Sequence, residues 1–437
     1  MAKFDWRRFE KELTSECLRA LGQDLVPMLD ASPIYAVALF GVYRELDGVL
    51  ALPSLAASTE GTGAAADTDG FWGARWNPPD WKFQTPLTES VTARLETELT
   101  AEAGRGSERQ WRNTEARYFA VLLNVTKALG KTSPDMLTVS DEFVAFWHDE
   151  AGGVDLARKT IAKKRFDRLF APQVERQRTL NQSRRESPEA RAAFLVTRFG
   201  VYDGVSSEDA ERELISIGQP AVQALVPALA DKENGWEAAH VLAMIGSSSP
   251  DTIKALRAHV GENDWFAAAL GYLGDYEWLV GSAPEGALVT ALTMTLQAWK
   301  QVPLDYHRLE AFLDSASKKT LALVDDELKP GRSYVEIRRD DVPEALRGLS
   351  SRHAVLRWHA ASVLGNRGLG AAAGKQVLPA LERALSDAHP TVRRLAVLSI
   401  SYWKSAAKPY LPAIEALRND PDESVRDTAV YVLSGDD

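Results

Sequence analysis

The sequence predicts an α+β N-terminal domain followed by an all-α solenoid of short helical hairpins. Three observations carry this prediction: a motif that returns at a near-fixed spacing toward the C-terminus, an apolar run of strand-forming residues near the N-terminus, and a length of 437 residues, more than one ordinary core serves.

The repeat is the clearest of the three. Ser386-Asp-Ala-His-Pro-Thr-Val-Arg-Arg-Leu-Ala-Val-Leu is matched by Asn419-Asp-Pro-Asp-Glu-Ser-Val-Arg-Asp-Thr-Ala-Val-Tyr-Val-Leu, which puts Arg393 and Arg426 33 residues apart. Leu356-Arg-Trp-His-Ala-Ala-Ser-Val-Leu-Gly places Arg357 36 residues before Arg393. In each copy an apolar helix such as Val377–Leu385 ends in a polar turn, and a second helix opens on Val-Arg or Leu-Arg with small residues where helices must approach closely. An Asp before each Val-Arg pair can cap that second helix. Weaker copies lie upstream, at Ile217–Gly246 and Asp251–Gly274, with Trp265 29 residues after Trp236. These features resemble HEAT repeats of the short bacterial type, close to those of the phycobilin-lyase group, over about Glu208–Gly274 and Leu349–Gly435. The resemblance implies an all-α HEAT-type solenoid, and a solenoid is chiefly a binding surface. Ala287–Leu328 reads as helices without the motif, and Tyr334-Val-Glu-Ile-Arg-Arg-Asp-Asp as a polar linker or short extended insert.

The N-terminal part has a different period. Residues 4–21 carry Phe4, Phe9, Leu13, Cys17 and Leu21 near helical spacing. Ile34–Tyr43 then reads as a buried strand, with Gly48–Ala56 as its antiparallel partner across a Glu45–Gly48 turn. A loop is expected over Ser58–Gly70, helices over Leu87–Ala103 and Gln110–Leu129, a further strand at Phe143–Glu150, and a closing helix over Val154–Phe170. This order, with Trp-Asn-Pro-Pro-Asp-Trp at 76–81 and Phe-Trp-His-Asp-Glu at 146–150, resembles the bacterial domain-of-unknown-function 4303 family over residues 4–170. Members of that group are associated with immunity proteins of toxin systems, and the resemblance supplies no catalytic residues. The expected division is residues 1–172 for the α/β domain with antiparallel strands, 173–190 for a basic linker, and 191–437 for the repeats, with an irregular segment near 275–348.

Composition narrows the function classes. An apolar fraction of 45% with 26% charged residues is that of a globular chain. The longest apolar run is far short of a membrane span, the N-terminus lacks the apolar core of a signal peptide, and the single Cys17 excludes an internal disulfide framework, so a cytoplasmic location is expected. A net charge of −10 disfavours general affinity for nucleic acid and favours basic partners. Ten basic residues between Arg158 and Arg185 run against that trend. They offer a nucleic-acid footprint or, more plainly, a solvated helix and linker.

Chemistry-bearing motifs are sparse. His-Glu-x-x-His, Cys-x-x-Cys and phosphate-binding glycine loops do not occur, so neither metal nor cofactor is expected. His148-Asp149-Glu150 at a strand end offers an acid–base group, but a solvated strand tip is the plainer reading. Arg357, Arg393 and Arg426 recur at one repeat position, which points to a role in the stack, with Asp387 and Asp420 as their partners. Trp72, Trp76 and Trp81 form either an exposed binding patch or a cover over the sheet. With Trp236, Trp265, Trp358, His359, Tyr402 and Trp403 they are the candidate partner-binding residues. The expected function is non-enzymatic binding of another protein, in the narrower form an immunity protein that occludes a cognate toxin. The alternatives are a HEAT-repeat enzyme of lyase-like or DNA-repair-like type and a scaffold.

Overall fold

A computed structural model describes residues 4–44, 49–62, 71, 73–105, 108–149, 152–297, 302–330 and 336–434. The chain divides into two units, Met1–Gln182 and Ser183–Asp437. The expected Glu45–Gly48 turn, most of the Ser58–Gly70 loop, Trp72, Glu150 and Tyr334 lie outside the described residues.

The first unit is built on a four-stranded sheet in the order β3-β2-β1-β4, from β1 (Ile34–Phe40), β2 (Ser54–Thr59), β3 (Phe83–Thr85) and β4 (Val139–Trp147). β1 pairs antiparallel with β2, as the sequence predicts, and parallel with β4. β2 begins after Pro53, which has no N–H to give a ladder, and it continues to Thr59 where the sequence suggests a loop. A parallel pair is stable when both faces are covered, and here both are. One face presents Val37, Leu39, Leu55, Phe143 and Trp147 to α1 (Trp6–Arg19), α2 (Glu89–Ala103) and α3 (Glu108–Met136). The other presents Ala36, Ala38, Ala56, Val144 and Phe146 to Phe71, Trp76, Trp81, Phe166 and Phe170. Alanines at three of those strand positions leave the height that large rings need. A register shift between Ile34 and Ala36 turns Tyr35 onto this same face.

The expected helix over Val154–Phe170 is two helices, α4 (Gly153–Thr160) and α5 (Lys163–Leu169). The break falls at Ile161, whose extended backbone lets its side chain enter the second core. The stretch 173–190, expected as a linker, is helical through α6 (Ala171–Ser183) and enters the next helix at Pro188.

The second unit is a stack of eight helical hairpins among the described residues: α7 (Pro188–Val196) with α8 (Ser207–Ile217), α9 (Val222–Ala228) with α10 (Gly235–Ile245), α11 (Pro250–Ala258) with α12 (Asp264–Tyr272), α13 (Tyr276–Ser282) with α14 (Glu285–Leu296), α15 (His307–Leu313) with α16 (Lys318–Glu327), α17 (Val342–Gly348) with α18 (Ala354–Val363), α19 (Ala371–Ala384) with α20 (Pro390–Ser401), and α21 (Leu411–Ala416) with α22 (Glu423–Ser434). Serine caps repeat along it. Ser187, Ser206, Ser249 and Ser317 each accept a backbone N–H of the helix they precede, which starts those helices sharply. Second helices pack on second helices from α8 through α14 and again from α18 through α22, so they form a row along one side of the stack in each stretch.

The irregular segment belongs to the stack. Tyr306 is fully buried, its backbone N–H bonds Glu344 at 2.8 Å, and its hydroxyl meets His359 Nδ1 at 2.7 Å. Gly348 makes this possible, because a Cβ there would lie 2.4 Å from the Tyr306 ring. Trp358 Nε1 donates to the Leu328 carbonyl at 3.2 Å, and Gln297 Nε2 to that of Glu327 at 3.0 Å. Side-chain bonds therefore join α14 to α16 and α16 to α18 where the repeat motif is absent.

Candidate functional site

The recurring arginines form a ladder. Arg357 grips Asp387 through Nε and Nη2 at 2.7 and 2.9 Å, and its Nη1 bonds the Ser351 carbonyl of its own turn at 2.9 Å. Arg393 does the same with Asp420, at 2.8 and 2.6 Å, and with the Asp387 carbonyl at 2.9 Å. Each guanidinium ties its own turn to the aspartate of the next hairpin, as the sequence suggests. The Arg393 fork holds the Asp420 carboxyl below the usual carboxylate range. These residues are structural.

Most of the expected partner-binding aromatics are also structural. Trp76 and Trp81, 4% and 6% exposed, ring Tyr35 and Phe146 and cannot contact a partner in the folded unit. Without them the alanine-lined face of the sheet would meet water. Trp358 and Trp403 are buried and donate their Nε1 to the Leu328 and Leu364 carbonyls. His359 is buried against Tyr306. Only Tyr402, 42% exposed, Trp236, 36% exposed, and the half-buried Trp265 reach the surface among the described candidates.

Two of these three fall together. A second helix such as α10 touches its own first helix and its two neighbours in the row, which leaves one side of it to solvent. On α10 that side carries Trp236 and His240, one helical turn apart. On α12 it carries Trp265 and Tyr272. His240 and Trp265 meet between the two helices with centroids 4.4 Å apart, and Trp265 and Tyr272 lie 6.4 Å apart along α12. At the α8 end, Glu211 Oε1 lies 3.0 Å from His240 Nδ1. Burial pushes the Tyr272 hydroxyl up to about 12, so it is neutral across the physiological range. The sequence points to Trp236 and Trp265 by their spacing. It does not point to His240, Tyr272 and Glu211, which join them only once three hairpins are stacked.

The strand tip is a clasp. Asp149 pairs with Arg44 through both carboxylate oxygens, at 2.5 and 3.1 Å, and accepts the Gly152 N–H at 2.9 Å. Arg44 Nε meets Glu115 at 3.1 Å. A cleft of about 520 Å³ adjoins these groups. Several residues of the basic stretch are also engaged: Lys163 with Asp167, Arg165 with the Phe143 carbonyl, and Arg184 with Glu213.

Comparison with known proteins places the repeats. Residues 342–434 match the HEAT-repeat family. That segment holds α17–α22, three hairpins bearing the Arg357, Arg393 and Arg426 copies of the motif. No curated protein matches the chain. Among solved structures, human deoxyhypusine hydroxylase is 18% identical, with 56% of this chain and 96% of that chain covered and a TM-score of 0.23. A designed armadillo repeat protein in complex with the peptide (KR)4 is 19% identical over 56% of this chain and 98% of that one, with a TM-score of 0.23. An engineered protein covers 79% of this chain and 85% of its own length, at 17% identity and a TM-score of 0.22. No helix of the described residues is long and apolar enough to cross a membrane.

Proposed function

We propose that this chain is a non-enzymatic binding protein that holds a segment of another protein on the solvent side of the second helices of its first three hairpins. The observation that carries the proposal is the exposed Trp236 on α10, one helical turn from His240, whose ring meets that of Trp265 on α12 at 4.4 Å. Large amphipathic rings held by a rigid scaffold give contact area at low cost in conformational entropy, which is why such residues dominate binding hot spots.

Replacing Trp236 and Trp265 together by alanine is expected to abolish co-purification of the native partner. Trp236→Ala alone is expected to change unfolding stability by no more than about 0.5 kcal/mol, as for other surface substitutions. Retention of the partner by the double variant, with the fold intact by circular dichroism, would count against the proposal. In its narrower form, prompted by the N-terminal resemblance, the bound protein is a toxin. Co-expression of this chain would then suppress that toxin's activity, and the double variant would not.

A further inference from the structure

The occupant of this second-helix face is identifiable by charge. Resting on the proposed role of that face in protein binding, we infer that it takes an extended basic segment, with arginine or lysine side chains seated on its rings and their charges met by carboxylates at its edge.

Two observations carry this beyond the presence of rings. The first is the distribution of charge. Residues 183–275, which contain the first three hairpins, hold 8 basic and 14 acidic residues, so this fifth of the chain supplies six of its ten net negative charges. Several of its cations are already neutralised within the fold: Arg184 and Arg191 by Glu213, Arg212 by Asp209, and Arg257 by Asp275. The acids Glu208, Glu233 and Asp264 remain exposed to solvent. An acidic field of this kind attracts a basic segment and raises its rate of encounter.

The second is where carboxylates meet rings. Glu211 meets His240 at the α8 end, and the exposed Asp264 precedes Trp265 at the start of α12. A cation over an indole face is attracted by the ring quadrupole by about 0.5–2 kcal/mol, and a carboxylate at the ring edge adds charge pairing. Glu237, which follows Trp236, is turned inward to accept the Gly200 N–H at 3.0 Å, so it braces the scaffold and leaves the ring free to receive a side chain.

Geometry sets the length of the segment. Packed helix axes lie about 8–10 Å apart, so α8, α10 and α12 span roughly 16–20 Å. That is about six residues of extended chain. A lone small cation would cover one ring, whereas Glu211, Trp236, His240 and Trp265 offer contacts on three successive second helices.

The test uses the full chain and two fluorescein-labelled ten-residue peptides, one alternating Arg and Gly, the other Glu and Gly, in fluorescence anisotropy. The Arg peptide is expected to bind, to weaken as salt rises from 50 to 300 mM, and to weaken at least about fivefold with Trp236→Ala and again with the paired change Glu211→Gln and Asp264→Asn. Both sets of substitutions lie at the surface, and retained melting temperatures would show that the fold survives. Absence of Arg-peptide binding overturns the inference, as does equal binding of the Glu peptide, or Arg-peptide binding that neither set of changes alters. If the native partner still depends on Trp236 and Trp265 while the Arg peptide fails, the basic occupant is wrong and the binding role of the face stands. If both fail, the proposed function falls with it.

Discussion

Replacing Arg393 by alanine is expected to lower the stability of the solenoid by about 3–5 kcal/mol, because the change leaves the buried Asp420 carboxylate without its partner. The wild-type pair has the geometry that makes such a loss large, with two parallel N–H to oxygen bonds of 2.8 and 2.6 Å and a third to the backbone of the preceding turn. Arg426→Ala is the internal comparison. Its Nη1 bonds the Asp420 and Pro421 carbonyls at 2.8 and 3.1 Å, and its loss is expected to cost about 1 kcal/mol. Urea unfolding of the three proteins measures the difference. Equal effects of the two substitutions would show that the ladder contributes little beyond its bonds to the turns.

Acid should loosen the middle of the solenoid through His359. Burial pushes its imidazole from an ordinary value of 6.5 down to about 4 in the folded chain, with the Leu296 carbonyl pulling weakly the other way. Well above pH 6.5 the group is neutral whether folded or not, and its contribution is constant. As the pH falls from 6.5 toward 4, the unfolded chain takes up a proton that the folded chain refuses, so stability is lost on acidification. The loss reaches about 3 kcal/mol near pH 4. His359→Gln keeps an acceptor for the Tyr306 hydroxyl and removes the titration. Its stability is expected to vary less over that window than the wild type's, measured by urea unfolding at several pH values. A variant with the wild-type slope would place the acid sensitivity elsewhere.

The fold was legible where one residue type does one job in every unit. Arg393 and Arg426 mark their hairpins because each must bind its own turn, and Asp387 and Asp420 mark the rungs between hairpins. Segment 276–327 was harder because the same stacking is achieved by singular contacts, Tyr306 with His359 and Trp358 with Leu328, which leave no periodic trace. β3 is three residues long, too short for alternation to register.

The binding face was less legible for a related reason. A tryptophan in sequence carries no sign of which side of its helix is already occupied. Trp358 and Trp236 both sit on second helices, yet one donates to the Leu328 carbonyl and the other stands 36% exposed. Trp76 and Trp81 look like an exposed patch because two prolines stiffen their segment. The alanines at 36, 38 and 56 that make room for them lie elsewhere in the chain, and only the register of β1 with β2 brings these together.

A photo-crosslinking amino acid placed at position 236 in the native cell would capture the partner on this face, with one at the slightly more exposed position 402 as comparison. A single covalent adduct is expected from position 236, mapping to a basic segment of another protein, and none of that species from position 402. An adduct from position 402 with none from position 236 would contradict the proposed role of this face.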